Sequence, residues 1–226
     1  VLDNTCSNKP TEMWVSKRDL TNDEELPGAT LAIKDMDGNI VTTWVSTDEP
    51  HRVTGLHFGE SYTLTEIRAA DGYALADNIT FRLIQKTDEG GNPLEECEVY
   101  YLTTKNILFW KWDDWRLLDD ATVIMRDDIT KVQISKKDLT TKEELPGAEL
   151  TLTDEKGNEI DRWVSTDAPH YMERLPAGKY TLTEVTAPDG YAIAERVEFE
   201  VLPTGEVQTF EMFDDTIKVK ISKVDI

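Results

Sequence analysis

Apolar and polar residues alternate along most of this chain, and the alternation carries charged groups to places where they are not expected. In Tyr62, Leu64 and Glu66, and again in Tyr180, Leu182 and Glu184, every second position shares one face of an extended strand. The pattern that turns Tyr and Leu inward therefore turns a glutamate inward as well. The same period of two runs through Met13, Val15 and Lys17, through Val123, Met125 and Asp127, through Val132, Ile134 and Lys136, and through Phe210, Met212 and Asp214. It predicts strands whose core-facing positions include one lysine, one glutamate and one aspartate, twice over. A charge placed among apolar side chains is costly unless it is neutralised, paired or used.

Turn residues punctuate these runs. DMDGNI from Asp35 and DEKGNE from Asp154 place DG and KGN turns between β-branched stretches, the signature of hairpins. LPGA precedes a strand at Leu26 and at Leu145, and FGESY at Phe58 and PAGKY at Pro176 supply turns before the glutamate strands. No segment of about twelve residues or more has helical periodicity with caps, so the expected fold is all-β.

The pattern is duplicated. VSKRDLTNDEELPGATL from Val15 aligns with ISKKDLTTKEELPGAEL from Ile134 at an offset of 119, which places Lys17 on Lys136, Trp44 on Trp163 and His51 on His170. One extra residue after His51 lowers the offset to 118, placing Glu66 on Glu184 and Tyr73 on Tyr191. The copies differ at their far ends: Tyr73 to Asp127 spans 54 residues and Tyr191 to Asp214 spans 23, so the first carries 31 more. The expected organisation is an N-terminal arm over 1–10, a first domain over 11–128 with an insertion around 88–119, and a second domain over 129–215. Residues 216–226 read as the first strand of a truncated third repeat, because Lys223 follows Asp214 by nine residues as Lys136 follows Asp127. On this reading the chain is a piece of a longer linear array.

Composition narrows the function. With 39% hydrophobic residues, six Trp, seven Tyr and six Phe, the 226 residues can fill two ordinary cores. A formal net charge of -21 repels phosphate backbones, which argues against nucleic acid as a partner. No apolar run approaches the ~20 residues needed to span a bilayer. Cys6 and Cys97 fit neither a zinc site nor a disulfide-dense scaffold.

The motifs SKxD in the first strand, LPGA after it, TLTE in the glutamate strand, DGY beyond it and MxD in the last strand occur in both copies. In these the chain resembles tandem Cna protein B-type, SpaA-like domains, the isopeptide-forming modules of Gram-positive pilins and surface adhesins. The resemblance implies two tandem Greek-key β-sandwiches of prealbumin-like, inverse immunoglobulin-like form. It also implies a covalent bond from Lys17 to Asp127 assisted by Glu66, and one from Lys136 to Asp214 assisted by Glu184. It further implies an extracellular place at the cell wall or surface, no cofactor, neighbouring repeats of the same chain as partners, and a mechanical role as stalk or shaft. Such bond formation is a single-turnover autocatalytic event, so the chain is not expected to be an enzyme. The first copy departs from the pattern in its insertion, in Ala70 where the second has Pro188, and in Arg126 before the aspartate.

The chemistry is consistent with that expectation. Desolvation disfavours both ammonium and carboxylate, so a buried cluster can hold a neutral amine beside a neutral acid. A glutamate in contact can polarise the aspartyl carbonyl and relay protons, and fixed positioning replaces activation of the acid. The alternative is an unreacted ion cluster with the same three residues.

Three features remain. Trp110, Trp112 and Trp115 in the insertion form either an aromatic platform for a host protein or glycan or a packed extension of the domain. Cys6 and Cys97 are candidates for a disulfide pinning that insertion. His51, His170 and His57 read as turn or loop histidines, not metal ligands, and the DMDG turn lacks a calcium-loop pattern.

Overall fold

The computed structural model describes residues 11–107, 110–118 and 120–223; of residues 95, 104–107 and 110–112 it describes the backbone alone. Every regular element among them is a β-strand. The chain divides into two compact units after Asp128.

The first unit contains β1 (Glu12–Asp19), β2 (Thr30–Asp35), β3 (Ile40–Val45), β4 (His51–Thr54), β5 (Ser61–Arg68), β6 (Ile79–Thr87), β7 (Pro93–Ile107), β8 (Trp110–Leu118) and β9 (Thr122–Asp127). They form a three-stranded sheet ordered β4-β1-β9 and a six-stranded sheet ordered β3-β2-β5-β6-β7-β8. The inner faces enclose Met13, Val15, Leu31, Ile33, Tyr62, Leu64, Phe81, Leu83, Val99, Val123 and Met125. Alternation explains the selection: Met13 and Val15 of β1 are buried while Trp14 between them faces outward.

The second unit repeats the design with β10 (Lys131–Asp138), β11 (Glu149–Asp154), β12 (Glu159–Val164), β13 (His170–Glu173), β14 (Gly178–Thr186), β15 (Val197–Val201) and β16 (Val207–Asp214). Its sheets are β13-β10-β16 and β12-β11-β14-β15, packed over Val132, Ile134, Leu150, Leu152, Tyr180, Leu182, Val201 and Met212. The two sheets of each unit make a β-sandwich.

Two local features follow from the turn residues. Asp35 accepts the amides of Asp37 and Asn39 at 3.0 and 2.8 Å, and Gly38 takes a φ of 87° that a side chain would resist, closing the β2–β3 hairpin. Asp154 and Gly157 do the same between β11 and β12.

The long connection of the first copy resolves into structure. In the second unit β15 is the edge of its sheet; its counterpart β6 pairs onward with β7, and β7 with β8. The added residues are therefore a hairpin that widens one sheet by two strands. At the other end of the chain, Thr216 bridges to Tyr191 and the Ile217 amide reaches the Gly190 carbonyl at 2.9 Å, and residues 217–223 form no strand.

Candidate functional site

In each unit the first and last strands are parallel neighbours in the small sheet. β1 pairs with β9 so that Lys17 stands opposite Met125, and Asp19 opposite Asp127. Lys17 and Asp127 thus point to the same inner face, one step of two residues apart along the ladder. Glu66 reaches them from β5 in the facing sheet. It is turned inward by the alternation that buries Tyr62 and Leu64. The Lys17 ammonium donates to Asp127 Oδ1 and lies 2.9 Å from Glu66 Oε1. Lys17, Glu66 and Asp127 are 2%, 7% and 1% exposed.

The second unit has the same construction. Lys136 stands opposite Met212 and Asp138 opposite Asp214. Lys136 Nζ donates to Asp214 Oδ1 and lies 3.0 Å from Glu184 Oε1. In both units the second glutamate oxygen is held by backbone: Glu66 Oε2 accepts the amide of Ala76, and Glu184 Oε2 that of Ala194, each at 2.7 Å.

The electrostatics favour a proton in the cluster. Burial, with the adjacent Glu66 carboxylate adding to the rise, pushes the Asp127 carboxyl up to about 7 against the hydrogen bond and charge of Lys17. Asp214 is shifted in the same direction, again chiefly by burial, with Glu184 adding to the rise. Asp127 Oδ2 and Asp214 Oδ2 are buried acceptors with no hydrogen bond among the described residues, and Glu66 Oε1 and Glu184 Oε1 have only the ion-pair contact with their lysine. A proton on the aspartate supplies the missing donor between the two carboxyls.

The departures of the first copy leave this geometry intact. The Arg126 side chain turns outward to Asp23, 2.8 Å away, while Asp127 turns inward. Ala70 packs beneath Gly28 as Pro188 packs beneath Gly147: a Cβ at either glycine would lie 3.9 or 3.8 Å from that residue's Cβ.

Other candidates fall elsewhere. Cys97 is half-buried on β7, its thiol 3.1 Å from the Glu12 carbonyl at the start of β1; Cys6 lies outside the described residues. Trp115 is half-buried, with the Arg82 guanidinium 4.3 Å from its ring centroid and 5.7 Å from that of Tyr100. The side chains of Trp110 and Trp112 lie outside the described set. His51 and His170 are not loop residues: they open β4 and β13 and stack on Trp44 and Trp163, with ring centroids 4.4 and 4.2 Å apart. A flat imidazole lying against an indole of the other sheet is better served by stacking than by a solvated turn.

One buried acid was not assigned from sequence. Asp19 is a buried residue of β1 and accepts the Tyr73 hydroxyl at 2.8 Å. Extending the alternation of Met13, Val15 and Lys17 by one more step would have found it.

This architecture defines a pair of β-sandwich modules, each with a buried Lys, Asp and Glu cluster joining its first strand, its last strand and the facing sheet. The SpaA prealbumin-like fold domain matches residues 11–91 and 130–216, and the chain belongs to that family. Domains of this family are structural, not enzymatic. Among solved structures the chain is similar to the Bacillus anthracis TIE protein, at 22% identity and a TM-score of 0.47, over 92% of this chain and 34% of that one. It is also similar to the C-terminal fragment of the pilus adhesin SpaC from Lactobacillus rhamnosus GG, at 16% identity and a TM-score of 0.44, over 95% of this chain and all of that fragment. The shaft pilin spaA of the same organism aligns at 13% identity and a TM-score of 0.36, over 94% of this chain and all of that one. The chain spans about a third of the length of the Bacillus anthracis protein. A search of curated proteins finds no match.

Proposed function

We propose that each unit is a self-locking mechanical module: Lys17 joins Asp127, and Lys136 joins Asp214, by an isopeptide bond. The observation that carries this reading is the buried cluster itself, built twice with the same donors, acceptors and register. The neutral amine attacks the aspartyl carbonyl carbon. The Nζ–Cγ bond forms, the Cγ–hydroxyl bond breaks, and the amine proton passes through the glutamate to the departing hydroxyl, so that one water leaves per bond. Glu66 and Glu184 are the groups in reach for this transfer, and the dry site keeps water from competing.

The consequence is mechanical. A bond between parallel neighbours at the two ends of a unit carries tension through covalent linkage, bypassing the ladder hydrogen bonds. On this reading the domains run over 11–128 and 129–215. They serve as stalk or shaft of a pilin or adhesin at the Gram-positive cell surface, with neighbouring repeats as their partners. Cys6 joins this picture as partner of Cys97, whose thiol faces the start of β1; an extracellular thiol oxidant accepts the two electrons released when the disulfide forms.

The test is the intact mass of the purified chain under reducing conditions. The expected mass is two waters below the sequence value, with peptide mapping placing the links at Lys17 with Asp127 and Lys136 with Asp214. A mass equal to the sequence value would leave two buried ion clusters and a plain spacer.

A further inference from the structure

We infer that Tyr73 with Asp19, and Tyr191 with Asp138, are positioning residues for bond formation: each pair latches the loop whose backbone amide holds the assisting glutamate. The inference rests on the isopeptide reading and extends it to residues outside the Lys, Asp and Glu cluster.

The loop of the first unit, residues 70–76, follows β5 and is tied at three points. The Tyr73 hydroxyl donates to Asp19 Oδ2 at 2.8 Å. The Ala74 amide donates to the Asp128 carbonyl at 2.8 Å, just past the end of β9. The Ala76 amide donates to Glu66 Oε2 at 2.7 Å. Asp19 is itself fixed, because its Oδ1 accepts the amide and the hydroxyl of Thr21 at 2.7 and 2.6 Å. It also stands opposite Asp127 in the ladder, and the Leu20 amide beyond it donates to the Asp127 carbonyl at 2.9 Å.

The second unit repeats each tie. The Tyr191 hydroxyl donates to Asp138 Oδ2 at 2.7 Å, the Ala192 amide to the Asp215 carbonyl at 3.0 Å, and the Ala194 amide to Glu184 Oε2 at 2.7 Å. Asp138 Oδ1 accepts the amides of Thr140 and Thr141 at 2.6 and 2.9 Å, and the Leu139 amide reaches the Asp214 carbonyl at 2.8 Å.

A carboxylate with one oxygen pinned by an amide has its other oxygen aimed, here at the attacking nitrogen. The tyrosine latch fixes that amide relative to the two strands being joined. Freed from it, the loop lets the glutamate sample other rotamers and admits water to the site, and both lower the fraction of time spent in the reactive geometry. The reacting atoms themselves are untouched.

The test follows the full chain after cell-free synthesis, quenched at intervals and weighed intact, with peptide mapping to tell the units apart. In Tyr73→Phe the first-unit water is expected to leave roughly tenfold or more slowly, while the second unit keeps its normal rate; Tyr191→Phe reverses the pattern. A Val99→Ala control loosens the core of the first unit away from the loop and is expected to leave the rate within about twofold of the parent. In a Lys17→Met background, which cannot react, the amide proton resonance of Ala76 is expected to move when Tyr73→Phe is added and to stay when Val99→Ala is added. Normal rates in both tyrosine variants, or equal slowing by Val99→Ala, overturn the positioning role while leaving the bonds in place. A parent chain that loses no water overturns the isopeptide reading, and this inference with it.

Discussion

Lys17 and Asp127 are not partners in the strand register. Lys17 faces Met125 across the ladder and Asp127 faces Asp19, so the amine reaches its carboxyl diagonally, two residues along a parallel pair. Lys136 and Asp214 repeat the diagonal around Met212 and Asp138. The offset suits a long side chain meeting a short one and leaves room on the open side for the glutamate of the facing sheet. It also means that a one-residue slip of β9 or β16 would turn the aspartate to solvent and disable the site.

Removing the glutamate separates positioning from chemistry. Glu66→Gln keeps size and burial and removes the proton acceptor, so intact mass is expected to show one water lost, mapped to the second unit. Glu184→Gln is expected to show the mirror result, and the double variant the full sequence mass. Two waters lost from the double variant would mean that the carboxylates have no part in the reaction.

The proposed bonds would close loops between residues 110 and 78 positions apart. By the loop-entropy relation used for disulfides, each lock stabilises its unit by roughly 4 to 5 kcal/mol through the unfolded chain. Asp127→Asn is not suitable for measuring this, since an amide can also react with the amine. Lys17→Met and Lys136→Met remove the nucleophile and keep an unbranched stem of similar reach. Urea unfolding of each is expected to show one unit unfolding at markedly lower denaturant, while the other stays locked and protease-resistant.

The unreacted state has a defined pH dependence. Burial raises the Asp127 carboxyl to about 7 in the folded cluster, against about 3.9 for an ordinary aspartate. Between those values the folded chain binds a proton that the unfolded chain releases. The contribution of this carboxyl is therefore full below about pH 4 and is lost as pH rises through 7. In Lys17→Met the lysine that opposes the shift is gone, so the loss is expected to extend to higher pH. Unfolding of that variant at pH 5 and pH 8 should differ by a few kcal/mol in favour of pH 5; the opposite order would contradict a protonated Asp127.

The added hairpin can be loosened without disturbing the lock. Trp115→Ala removes the ring beneath Arg82 and is expected to weaken the β6, β7 and β8 extension by about 1 kcal/mol. Hydrogen exchange should rise at Tyr100 to Leu102 and at Arg116 to Leu118, with both waters still lost. Failure of the first-unit bond in this variant would show that the extension helps to set the register of β9.

Much of this protein is written in its alternation. A period of two is local, so Tyr62, Leu64 and Glu66 reveal their common face without reference to any other strand, and the duplicated motifs reveal two units of one design. The inward direction of Lys17, Glu66 and Asp127 follows from the same rule, as does that of Asp19 when the rule is carried one residue further. What alternation cannot supply is which strands become neighbours, because pairing depends on contacts between residues far apart in the chain, 110 positions for Lys17 and Asp127 and 78 for Lys136 and Asp214. The family resemblance implied that Lys17, Asp127 and Glu66 meet, but it was tertiary structure that set β1 beside β9 in parallel, brought Glu66 across from the facing sheet, and tied the Tyr73 loop to Asp19. It also placed β7 and β8 of the insertion at a sheet edge, and turned His51 and His170 from turn residues into partners for Trp44 and Trp163. The sequence by itself determined which groups would be buried; the packing of one sheet on another decided which of them would meet.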